Sequence, residues 1–124
     1  MWIYANPNPD NKHVPDCVIR ALSIALNRSW NDIYAELTRR GAAEHNMPSA
    51  DVVWGRYLYD FGFQPFKLPN VCPRCITIHQ FTRMYPRGIY IIGTGGHAVA
   101  VIDGNYYDTW DSGDQYVSFF YRIE

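Results

Sequence analysis

The chain has 124 residues, 48% of them apolar and 16% aromatic, and a formal net charge of -1. This suits one folded core rather than two or a disordered chain. A near-neutral charge offers no field for nucleic acid or a membrane surface, and no run approaches the roughly 20 apolar residues that span a bilayer.

The first residues, Met1-Trp2-Ile3-Tyr4-Ala5-Asn6-Pro7, lack the basic and apolar regions of a signal peptide. Three cysteines do not make a disulfide framework. Together these lead to the expectation of a reduced, cytoplasmic protein, and they leave its oligomeric state open.

Residues 5–16 are rich in Pro, Asn and Asp and read as an irregular lead-in. A first helix follows, with Asp16 as its expected N-cap and Cys17 at its electropositive end. Val18, Ala21, Leu22, Ala25 and Leu26 form one apolar stripe. A second helix is predicted from Trp30 to Arg40, capped by Ser29 and stopped at Gly41, with Trp30, Ile33, Tyr34 and Leu37 inward. A third starts after Ser49 and ends at Gly62, burying Val53, Trp54, Tyr57, Leu58 and Phe61. An extended piece covers Phe63 to Leu68, and Thr77 to Gln80 has the spacing of a capping box that opens a short fourth helix.

After Pro86 the pattern becomes β-branched and aromatic, over 89–92, 97–102, 105–110 and 116–123, with Gly-rich or Asp-Gly turns between. Helices first and strands second predict an α+β fold, with helices packed on a small C-terminal antiparallel sheet.

Two segments carry chemistry. Cys17 at a helix start places sulfur where the helix dipole favours thiolate. His97 follows Gly95-Gly96, where backbone can approach a ligand, and opens an apolar strand that would hold the imidazole stiffly. A thiol, an imidazole and a carboxylate that steers it are the minimal kit for acyl transfer.

Two carboxylates compete for the third place. A two-residue turn at Asp103-Gly104 pairs Ile102 with Asn105 and brings Asp108 to the face of His97; a bulged turn favours Asp111. For the oxyanion, the Cys17 backbone N–H is one donor, and Asn11, six residues upstream, is the candidate for the other. His13 is a possible local base or substrate contact, whereas His45 reads as a loop residue and His79 as a surface one.

Cys72-Pro73-Arg74-Cys75 has no second Cys-x-x-Cys to complete a zinc site and no βαβ pattern around it. A structural or incidental role is expected there, with redox or intersubunit metal chemistry as the alternative. No cofactor or metal is expected at the thiol site.

Asp16-Cys17-Val18-Ile19-Arg20-Ala21-Leu22, Gly96-His97 through Gly104, Asp108-Thr109 and Tyr85-Pro86-Arg87-Gly88 together resemble the papain-like cysteine peptidase superfamily. The resemblance is closest to a group of small single-domain bacterial and phage proteins. It implies one papain-like domain over 1–124 that cleaves a peptide or isopeptide bond in a polypeptide substrate, in the host cytoplasm if phage-encoded. Papain-like enzymes place Gln where this chain has Asn11, and their Asn-Ser-Trp sequence is similar to Asp108-Thr109-Trp110. The resemblance therefore implies Asp108 as the third member and Trp110 as a shield over the pair; Gly95 and Gly96, whose backbone can approach a ligand, are the expected substrate contacts. An acyltransferase or amidase would use the same triad, and an idle protein-binding module would leave Cys17 unreactive.

Overall fold

The structure is a computed structural model that describes residues 1–69 and 71–123. Among these lie four helices, α1 (Cys17–Leu26), α2 (Trp30–Glu44), α3 (Asp51–Asp60) and α4 (Ile78–Met84). Six strands accompany them: β1 (Trp2–Tyr4), β2 (Phe63–Lys67), β3 (Ile89–Gly93), β4 (Ala98–Ile102), β5 (Asn105–Asp108) and β6 (Phe119–Ile123).

The strands form one mixed sheet in the order β1-β5-β4-β3-β6-β2. This corrects the expected small C-terminal antiparallel sheet in two ways. The apolar N-terminal triplet Trp2-Ile3-Tyr4 joins it as a strand parallel to β5, and the extended piece after α3 pairs antiparallel with β6. Their pairing uses backbone polar groups that would otherwise edge the sheet unpaired.

Alternation along the strands sorts the core into two layers. On one face Ile91, Ala98 and Ala100 pack with Ala21, Leu22, Ile33, Leu37, Val53, Trp54 and Leu58 from α1, α2 and α3. On the other, Tyr90, Ile92, Val99, Val101, Tyr106 and Phe120 pack with Ile78 and Phe81 of α4. Small residues at Ala98 and Ala100 let α1 lie close on β4, and these two elements pack more extensively than any other helix and strand. Each fully buried Leu, Ile or Phe contributes about 1.5–3 kcal/mol.

Three helix expectations change. Asp16 occupies the N-cap of α1 without capping it, because its carboxylate is taken by Arg20 and Trp30. α2 continues through Gly41 to Glu44, carried by the strong helix formers Ala42 and Ala43, and His45 takes the left-handed cap at φ 54. Gly41 is there for closeness: a Cβ would lie 2.8 Å from the Asn46 carbonyl oxygen and 3.1 Å from Pro48 nitrogen. Tyr34 of α2 and Phe61, the C-cap of α3, both expected inside, are exposed. The capping box at Thr77 forms as expected.

Among the strands, β5 ends at Asp108 rather than residue 110. β6 begins only at Phe119, because 112–117 crosses the sheet end toward α4, where Thr77 bridges Tyr116. Cys72 and Cys75, expected to be reduced, are joined by a disulfide. Among the described residues no helix is long and apolar enough to cross a membrane.

Candidate active site

The β4–β5 hairpin decides the site's register. Asp103 and Gly104 both take positive φ, 49° and 80°, as a two-residue hairpin turn of the mirror-image type requires. Ile102 consequently pairs with Asn105 and Val101 with Tyr106, which is the unbulged alternative. Asp103 is the turn-former: its carboxylate accepts from Gly88 N–H at 2.9 Å.

At the opposite end of the same hairpin, Asp108 Oδ2 lies 2.6 Å from His97 Nε2. With Nε2 so engaged, Nδ1 is the nitrogen left to face the thiol, and Cys17 and His97 line the same two depressions, close enough for each to shift the other's ionisation. The three residues proposed from sequence therefore meet. Asp111 does not share in this: its carboxylate accepts from Tyr106 O–H and from Gly113 N–H.

Each side chain is held by its own element. Cys17 begins α1, in the first turn whose N–H groups have no intrahelical acceptor. His97 leaves the tight loop Gly95-Gly96, closed by a 3.0 Å bond from Thr94 N–H to the His97 carbonyl. Gly95 has φ 100°, and a Cβ at either glycine would meet open space, so this loop is a bare backbone rim. Trp110 packs against the imidazole with ring centroids 5.0 Å apart.

The electrostatics follow from these contacts. Burial pushes the Cys17 thiol up, but the His97 hydrogen bond, the Ala98 backbone N–H and the charges of His97 and Arg20 outweigh it and hold it below the ordinary value. Burial alone would lower His97, yet its bonds to Asp108 and Cys17 raise it to about 9. Asp108 is 2% exposed. Burial raises it, and donors from His97, Ser112 and Thr109 carry it below the usual carboxylate range. All three shifts favour a thiolate beside an imidazolium beside a carboxylate.

Cys17 and His97 lie where two depressions meet. One, of about 300 Å³, runs along Ser49, Asp51, Trp54, Phe119 and the Gly95-Gly96 rim. The other, of about 390 Å³, is lined by His13, Val14, Arg20, Thr109 and Trp110. An extended ligand crossing both would pass over the sulfur.

Asn11 lines neither depression. It sits in the exposed lead-in at φ 54, and its side-chain oxygen accepts from Asn6 at 3.3 Å. His13 does line the site, His45 ends α2, and His79, expected on the surface, is half-buried with its ring edge-on to Tyr106.

Sequence reasoning missed Arg20 and Ser112. Arg20 bonds Asp16 and reaches Asp108 at 3.2 Å; Ser112 O–H donates to Asp108 at 2.7 Å. The spacing Asp16/Arg20 was a visible i,i+4 ion pair, whereas nothing local marks Ser112. Among the described residues no three His, Cys, Asp or Glu side chains gather as metal ligands would. Comparison of the chain with protein-family models, with curated proteins and with solved structures finds no match in any of the three.

Proposed function

We propose that this α+β domain is a papain-like thiol hydrolase that cleaves a peptide or isopeptide bond in a polypeptide through Cys17, His97 and Asp108. One observation carries the reading: an imidazole held on one nitrogen by a buried carboxylate at 2.6 Å lines the same depressions as a half-buried thiol at a helix start.

The residues divide the chemistry as follows. Cys17 thiolate attacks the carbonyl carbon, and the oxyanion is met by first-turn N–H groups of α1. The C–N bond breaks as the His97 imidazolium gives its proton to the departing amine, leaving a thioester on sulfur. Neutral His97 then takes a proton from water, the resulting hydroxide adds to the thioester, and the C–S bond breaks to release a carboxylic acid. Asp108 keeps the ring oriented and stabilises its charged form throughout. Trp110 covers one side of the ring, and the Gly95-Gly96 rim offers backbone groups to an extended substrate.

The test is a burst assay with p-nitrophenyl acetate together with a screen of peptide and isopeptide amides. A nitrophenol burst of one equivalent, lost in Cys17→Ala and followed by slow turnover, is expected. A native chain with no burst and no amide cleavage would remove the hydrolase reading. Product captured on an added amine in preference to water would convert it to an acyltransferase.

A further inference from the structure

The Asp108 carboxylate receives four donors: His97 Nε2 and Ser112 O–H on Oδ2, at 2.6 and 2.7 Å, and Arg20 and Thr109 N–H on Oδ1, at 3.2 and 2.8 Å. Four donors fill the lone-pair sites of an ionised carboxylate. Two of them come from the buried side chains of Ser112 and Arg20. Ser112 is 1% and Arg20 7% exposed.

Arg20 is also bonded to Asp16, the residue immediately before Cys17, and Asp16 is held in turn by Trp30 N–H at 2.8 Å. One guanidinium thus spans from the start of the helix that bears the thiol to the strand end that bears the carboxylate. Ser112 arrives from the other side, on a loop pinned by Tyr106 to Asp111 and by His79 N–H to the Gly113 carbonyl.

We propose that Arg20 and Ser112 are positioning residues, which lock the Asp108 carboxylate from two sides in the one orientation that aims the His97 ring at Cys17. This rests on the hydrolase reading for its catalytic meaning, but the locking is a property of the folded chain. A planar fork suits Arg20 because it must serve two carboxylates at fixed angles; an ammonium at the same place would keep the charge and lose the bridge. The charged and titratable groups around the site are Asp16, Arg20, His97 and Asp108, with His13 and Asp51 on the walls of the two depressions.

The experiment compares the full native chain with Arg20→Lys and Ser112→Ala. The readouts are cooperative melting, the low-field proton of His97 Nε2–H in 15N-labelled protein, and steady-state turnover of p-nitrophenyl acetate. Both variants are expected to melt cooperatively, to lose the low-field proton to exchange broadening, and to turn over about tenfold more slowly. Folded variants with the native proton signal and native turnover overturn the proposal; an effect in only one of them assigns the role to that residue and removes it from the other. Should Arg20→Lys not fold, Ser112→Ala decides alone. A native chain that shows the proton but no thiol-dependent burst would sink the hydrolase reading while the proton still reports on the lock.

Discussion

A cysteine thiol in water ionises near pH 8.5, so below neutrality little of it is nucleophilic. Cys17 is placed differently: the His97 and Ala98 bonds overcome the cost of burial and favour its thiolate. Its alkylation by iodoacetamide is therefore expected to follow a pH profile whose midpoint lies below that of an ordinary thiol. His97→Ala is expected to move that midpoint up toward the ordinary value, because burial is then opposed only by the Ala98 N–H and the Arg20 charge. A native profile centred at 8.5 would show that the imidazole does not act on the sulfur. Among the described residues Cys17 is the one free thiol, so unreduced protein takes up a single label. The two competing aspartates are separated in the same way. Asp108→Asn is expected to lower turnover about 10²–10⁴-fold, the usual worth of correct general acid–base catalysis. Asp111→Asn, whose partner is Tyr106, is expected to change it by less than a factor of about 3. Equal losses in both variants would contradict the assignment of the carboxylate.

At the level of elements, Gly41→Ala is expected to destabilise the fold, since a methyl in α2 would press on the Asn46 carbonyl and on Pro48. A cost of roughly 1–3 kcal/mol is typical of such overpacking, read as a lower melting temperature with turnover per folded molecule unchanged. If Gly41→Ala instead raised stability, as an ordinary helix glycine would, the close approach would not be real. The same residue shows where sequence reading failed. Gly after two arginines looks like a helix stop, and only the chain returning at 46–48 reveals its other purpose. The helical stripes of α1 and α3 and the capping box of α4 were readable, because each is set by neighbours three or four residues away. β1 was not, because three residues are too few for a pattern and their partner, β5, lies at the far end of the chain. The triad could be named from the Cys17 and His97 segments, but choosing Asp108 over Asp111 from the residues alone required the hairpin register, which two φ angles fix. Ser112 had no signal at all; its role is purely tertiary.

For the whole molecule, Asp108 links the site to acid stability. Its folded carboxyl lies below the ordinary aspartate value, held there by donors from His97, Ser112 and Thr109. The stabilisation of the folded chain is therefore complete above the unfolded aspartate value of about 4, and is lost as pH falls through the lower folded value. Urea midpoints measured from pH 5 to pH 2 are expected to fall steeply for the native chain and less steeply for Asp108→Asn; parallel slopes would mean that this carboxyl is not the linked group. The disulfide acts independently of pH in this range. It closes a loop with a sequence separation of only 3, for which chain entropy gives about 2 kcal/mol.

The thiol and its imidazole stand eighty residues apart along the chain and meet only where α1 beds onto β4. The lowered pKa of the thiol is consequently absent from every partly assembled form in which that helix and strand have not docked. A pulse of alkylating reagent during refolding would thus time the docking event itself, making the sulfur an internal clock for that long-range step.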